Sequence, residues 1–166
     1  MPRKIDVRSP AVLDLPCACA TTRRAARAVT QLYDSHLRAS DIEATQFALL
    51  SVLESRGPCS QASISPLLAI DKTTLSRNLK LLKNRGWIEA TGAADRRERR
   101  FVLSAAGKKH LAKAKPAWRR AQEQLRSSMT AKQWDAMWKA FRVVTEAAQK
   151  APHATEPLKL KSTRRR

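Results

Sequence analysis

The stretch "DKTTLSRNLKLLKNRGWIEATGAADRRERRFVLS", Asp71 to Ser104, changes its period halfway. Up to Arg85, Leu75, Leu79 and Leu82 recur at the spacing of one buried helix face, with Asp71 where an N-cap belongs and Gly86 where a helix stops. Beyond it, "WIEAT" and "RRFVLS" are short segments rich in β-branched or aromatic residues, set around a polar tip with Gly92 and the charges Asp95 to Arg99. That pattern predicts a two-stranded hairpin. A helix with one cationic face, followed by a charged hairpin, is the expected centre of the molecule.

Working upstream, a short apolar segment from about Gln61 to Ala69 has Ser60 as its cap, so the order is helix, tight turn, helix, then wing. Pro66 disturbs the shorter helix: it starts late, with Ser65 as cap and Pro66 in its first position, or it is kinked. Two further helices precede it. Ala25, Val29, Leu32 and Tyr33 recur at helical spacing between about Cys17 and Leu37, and Phe47, Leu50 and Leu53 between Gln46 and Leu53, before Gly57-Pro58 ends the run.

Downstream, Ser104 is placed to cap a helix that breaks or restarts near Pro116 and reaches about Ser127. Thr130 and Gln133 have the spacing of a capping box for a last helix, with Trp134, Met137, Trp138, Phe141, Val144 and Ala148 on one stripe. The expected fold is mainly α with a small β-hairpin wing. Its expected divisions are a flexible arm over 1–16, a folded domain over 17–150, and a basic disordered tail over 151–166.

Charge narrows the function. The 166 residues hold 33 Lys and Arg against 14 Asp and Glu, a formal charge of +19, while 43% are hydrophobic, enough for a core. From Ser60 to Lys115 thirteen cations face four acids, so the excess lies on the helix and the hairpin. A nucleic acid is the partner that such a footprint fits. Lys72, Thr73, Ser76, Arg77 and Lys80 lie outward or flanking on the helix, where hydroxyls and a guanidinium reach phosphates and base edges. Arg96, Arg97 and Arg99 at the hairpin suit a narrow minor groove, and Asp95 is expected to orient an arginine there.

No apolar run approaches the roughly 18 residues of a membrane span, and the start lacks a secretory pattern, so a cytoplasmic, nucleoid-associated protein is expected. His36, His110 and His153 stand in unrelated contexts, and four glycines form no phosphate loop. Neither an enzyme, a metal site nor a cofactor is expected. A protein that coats DNA or RNA without sequence preference is the competing reading of the charge.

The order of elements, with "DKTTLSRNLKLLKNRGWIEA" and "DRRERRFVLSAAGKKHL", resembles the MarR (multiple antibiotic resistance regulator) family of winged helix-turn-helix transcription factors. The resemblance covers about Cys17 to Lys150, and its most specific part is the pattern of Asp95, Arg97, Leu103, Ser104 and Gly107. It implies a winged helix-turn-helix over about 43–103, with 17–38 and 104–150 as dimerisation helices, and it places Thr74 with Thr73, Ser76, Arg77 and Lys80 on the recognition helix. It also implies a homodimer on a pseudo-palindromic DNA operator, usually as a repressor. The large stripe of Trp134, Trp138 and Phe141 independently suits a dimer interface, the alternative being a contact within the chain.

The resemblance also raises the question of a signal. Family members release DNA on binding small phenolic or aromatic acids, or on oxidation of a cysteine near the start of the first helix. In the hydroperoxide-sensing branch that cysteine hydrogen-bonds a tyrosine fourteen residues later, the spacing of Cys19 and Tyr33. The branch's other tyrosine is replaced by Arg23, and Cys17 is an addition. Thiols at a helix start beside an arginine suit sensing, yet "CACA" equally suits close helix packing. Metal capture by two thiols alone completes no tetrahedral site. Cys59 is expected to be structural. An effector pocket between the first, second and fifth helices would draw on Tyr33, His36, Phe47 or Trp118.

Overall fold

The computed structural model describes residues 17–92 and 99–151. Its elements run α1 (Ala18–Leu37), a 3₁₀ turn (Arg38–Ser40), α2 (Ala44–Arg56), β1 (Cys59–Ser60), α3 (Gln61–Leu68), α4 (Lys72–Asn84), β2 (Ile88–Thr91), β3 (Arg100–Leu103), α5 (Ala105–Ser127) and α6 (Ala131–Lys150). The chain divides into two compact units, one ending at Gln124 and the other beginning at Leu125.

The caps explain where the helices begin. Ser60 Oγ accepts from the Ser63 amide at 3.2 Å, Asp71 Oδ1 from the Thr74 amide at 2.9 Å, and Thr130 Oγ1 from the Gln133 amide at 3.2 Å. Each satisfies an amide that has no partner inside its helix. Thr130 and Gln133 close the expected capping box.

Two sequence expectations are corrected. First, α3 does not start late: it begins at Gln61 under the Ser60 cap and carries Pro66 inside. The missing proline donor falls on the bond to Ala62, whose residue is exposed, and buried Ile64 holds the helix to the core. Second, α5 neither breaks nor restarts at Pro116 but runs through it. Leu111, Ala114, Ala117 and Ala121 bury one continuous stripe on both sides of the proline, and that burial outweighs one lost hydrogen bond. The expected hairpin is present, β2 pairing antiparallel with β3, and a short third strand joins it. The sheet has three strands in the order β1-β3-β2, with Cys59 opposite Phe101, Ser60 opposite Arg100, and Ile88 opposite Leu103.

In the first unit the core gathers Leu49, Leu50 and Leu53 of α2, Ile64 of α3, Leu75, Leu79 and Leu82 of α4, Ile88 and Phe101 of the sheet, and Leu111 of α5. Buried Cys59 belongs to it, as expected. Between α3 and α4 the chain turns through Ala69 at φ 50°, and Gly86 at φ 70° ends the stretch after α4. In the second unit α6 buries no residue within the chain: Trp138 is 53% and Phe141 42% exposed.

Candidate nucleic-acid interface

Burial separates the two faces of α4. Leu75, Leu79 and Leu82 are buried, whereas Lys72, Thr73, Thr74, Ser76, Arg77 and Lys80 are all exposed. The core therefore fixes the rotation of the helix, and its cationic and hydroxylic side chains face outward. Asp71, the acid at its start, is engaged as the N-cap. Hydrogen bonding to Thr74 holds its carboxyl below the usual range, so it remains an anion bonded to the helix end. The positive end of the helix dipole adds to the field of Lys72.

Beside this face a cleft of ≈ 560 Å³ lies among the cap residue Ser60, Gln61 and Ser65 of α3, Lys72, Arg99 and Phe101. The α3 residues were not legible as interface candidates, although the Ser60 cap signal marked the start of their helix. Two cations and several hydroxyl or amide groups at one opening are suited to phosphate oxygens. Arg99 is exposed at the edge of this cleft. Asp95, Arg96 and Arg97 lie outside the described residues.

Ser104 and Gly107 set how the wing joins α5. Ser104 Oγ donates to the Gly86 carbonyl at 2.6 Å and accepts from the Gly107 amide at 3.0 Å, while the Ser104 amide donates to the Trp87 carbonyl at 3.0 Å. The strand leaving the wing, the start of α5 and the end of α4 are thus bonded at one point.

A mainly apolar cavity of ≈ 470 Å³ lies between α1, α2, α3 and α5, with Val29, Tyr33, Ala48, Phe47, Leu68 and Trp118 among its walls. Phe47 and Trp118 stack on each other in its wall, centroids 5.7 Å apart and 11° from parallel. Tyr33 donates its hydroxyl to Gln122 Oε1, and burial pushes its phenol above the ordinary range. Of the four pocket candidates, His36 does not line this cavity. Its Nε2 lies 2.7 Å from Gln124 Oε1, because a one-turn difference in position turns it toward a different part of α5.

The thiols lie elsewhere. Cys17 and Cys19 are exposed at the start of α1, with Cys17 in the N-cap position and exposed Arg23 one turn after Cys19. Cys19 and Tyr33 are separated by fourteen residues of uninterrupted helix, roughly 21 Å at 1.5 Å per residue. The cysteine–tyrosine hydrogen bond of the hydroperoxide-sensing branch is therefore not formed within one chain. Trp134 and Trp138 of the predicted dimer stripe pack edge to face, centroids 5.7 Å apart, and Arg126 lies over the Trp134 ring at 5.5 Å. Among the described residues no three His, Cys, Asp or Glu gather as a metal site, and no helix is long and apolar enough to cross a membrane.

Comparison with known proteins agrees with this architecture. A model of the MarR family matches residues 40–98. The crystal structure of the M. tuberculosis transcriptional regulator MosR superposes with a TM-score of 0.73 at 31% identity, covering 81% of this chain and 97% of that one. MosR in complex with DNA matches at 34% identity and a TM-score of 0.71, covering 80% and 96%. An uncharacterized helix-turn-helix regulator of Bacillus subtilis, YwoH, is 27% identical over 81 residues, which are 49% of this chain and 59% of its own length. A relative more than 30% identical, matched over almost its whole length and sharing the helix, turn, helix and wing built above, shows that the chain belongs to the MarR family of transcriptional regulators.

Proposed function

We propose that the chain acts as a homodimer that binds a pseudo-palindromic DNA operator, as a repressor, with α4 in the major groove and the wing in the minor groove. One observation carries the reading: all six outward candidates on α4 are exposed above a leucine stripe that fixes the helix's rotation. A regulator 34% identical to this chain has been solved with DNA, which supports the same partner. In this reading Arg77 reads a base edge, Lys72 and Lys80 hold phosphates, and Arg96, Arg97 and Arg99 serve the wing with Asp95 orienting them. The apolar face of α6, Trp138 and Phe141 above all, is the surface a second copy covers, and the terminal segments 1–16 and 151–166 add salt-sensitive affinity.

Release follows from a small aromatic effector in the Tyr33–Phe47–Trp118 cavity, or from oxidation of the exposed Cys17 and Cys19. The cavity is apolar with a few polar groups at its walls, the usual chemistry of such a site. Fluorescence anisotropy on a duplex from the protein's own upstream region and on a scrambled duplex tests the whole reading, in reductant, after mild organic peroxide, and with an aromatic acid. Preference that collapses on oxidation and returns with reductant assigns the signal to the thiols. Preference abolished by the acid alone assigns it to the cavity. Equal binding to both duplexes under every condition favours a non-specific architectural protein instead.

A further inference from the structure

We infer that Arg85 is a positioning residue for the DNA-reading helix: it ties the C-terminal end of α4 to the corner between α1 and α2, and so sets the angle at which α4 meets the duplex. The inference rests on the DNA-binding role proposed above. Arg85 is eight residues beyond Arg77, roughly 12 Å along the helix axis, away from the Lys72 to Lys80 face. Its guanidinium is already engaged. One nitrogen donates to the main-chain carbonyl of Asp41 at 2.7 Å and lies 3.4 Å from the Asp41 carboxylate, while its plane sits 4.8 Å from the centre of the Trp87 ring. Trp87 in turn stacks on His110 of α5, centroids 3.7 Å apart and 20° from parallel.

These contacts differ in weight. The carboxylate of Asp41 is 83% exposed, so the ion pair itself contributes little. The charge-assisted bond to the carbonyl is short and directional, and the ring beneath limits the guanidinium to one plane. Asp41 sits at φ 50°, a left-handed conformation that a non-glycine residue adopts at a cost, and the Arg85 bond is one of the contacts that hold it. Between α4 and the corner a cleft of ≈ 380 Å³ lies open, walled by Asp34, Arg38, Glu43 and Leu81 among others. Arg85 spans it as a strut.

The corner is also where the effector cavity ends. Tyr33 lines that cavity, and its neighbour Asp34 accepts the Ala44 amide at 2.7 Å at the start of α2. A shift of the end of α1 therefore reaches α4 through Asp41 and Arg85. The leucines beneath α4 make none of these bonds, so the helix folds without the strut but loses its fixed angle.

The test uses a duplex that the wild-type protein enriches from a random-sequence pool, against a scrambled duplex, for wild type, Arg85→Gln and Arg85→Lys. Expected for Arg85→Gln is a loss of roughly tenfold or more in preference for the enriched duplex, with scrambled-duplex affinity and the salt dependence unchanged. Arg85→Lys, which keeps the charge but not the plane, should recover only part. An unchanged preference in Arg85→Gln overturns the inference. So does a salt slope reduced by about 0.9, the mark of a direct phosphate contact. Equal loss on both duplexes with a parallel fall in unfolding temperature reduces Arg85 to a structural residue, and full recovery by lysine reduces it to a charge. Enrichment of nothing by the wild type overturns the DNA-binding reading itself and this inference with it.

Discussion

Gly107, at the first turn of α5, packs directly against the main chain of Trp87: a Cβ at Gly107 would lie 1.9 Å from the Trp87 carbonyl oxygen. The same carbonyl accepts the Ser104 amide, so it cannot withdraw without opening the junction between wing and α5. Alanine is the better helix former by about 1 kcal/mol, but the clash is with backbone and outweighs it. Gly107→Ala is expected to destabilise the protein by about 2 kcal/mol or more, read from its urea midpoint. An unchanged or higher midpoint would refute the close approach.

His110 supplies a pH dependence. Its Nε2 is buried without a hydrogen-bond partner among the described residues, and desolvation lowers its pKa despite the opposing Ser40 carbonyl and Asp41 carboxylate, with Lys113 and Arg85 lowering it further. The unfolded chain, with a histidine near its ordinary value of about 6.5, then binds more protons than the folded one. The stability this contributes is present above that value and is lost as pH falls through the lower folded pKa. The unfolding midpoint should therefore drop between neutral and mildly acidic pH, and His110→Phe, which keeps a ring against Trp87, should flatten the drop. A wild-type midpoint that rises on acidification contradicts the sign.

Arg77 and Lys80 should separate in their effect on DNA. Truncating Arg77 to alanine is expected to cost about 1–3 kcal/mol on the preferred duplex and little on a scrambled one, the signature of a base contact. Lys80→Ala should weaken both alike and reduce the salt slope by about 0.9. Anisotropy titrations at two salt concentrations distinguish them, and equal loss on both duplexes for Arg77→Ala would take Arg77 off a base.

Filling the apolar cavity should remove the ligand response while sparing the fold. Ala48 lines it without being buried in the core, so Ala48→Leu is expected to cost no more than about 1–3 kcal/mol of stability and to abolish release by an aromatic acid such as benzoate. Phe47→Ala is the poorer probe, since Phe47 is 6% exposed and its loss would cost roughly 3–5 kcal/mol. Continued release from Ala48→Leu would move the effector elsewhere.

On α6, which buries none of its own residues, Phe141→Glu places a charge on the exposed apolar stripe. Light scattering after size exclusion should report a dimer for the wild type and a monomer for the variant, with little change in helical circular dichroism. A monomeric wild type would leave the stripe for another partner.

What the sequence determined by itself was local. The leucine period of α4, the caps Ser60, Asp71 and Thr130 and the stop at Gly86 each depend on residues within a turn or two of one another, and each is where the periodicity placed it. The exposed side of α4 followed from the same period, because burying three leucines leaves the remaining positions outside. Tertiary structure decided what joins distant segments. Cys59 and Ser60 become a strand only because Phe101 and Arg100 lie beside them. Pro116 remains helical only because a stripe on both sides of it is buried, and Tyr33, rather than His36, lines the cavity. Arg85 and Asp41, forty-four positions apart, carry no shared period that could announce their bond. A repeat along the chain encodes which face of an element is buried; which partner buries it depends on contacts between segments that no local period records.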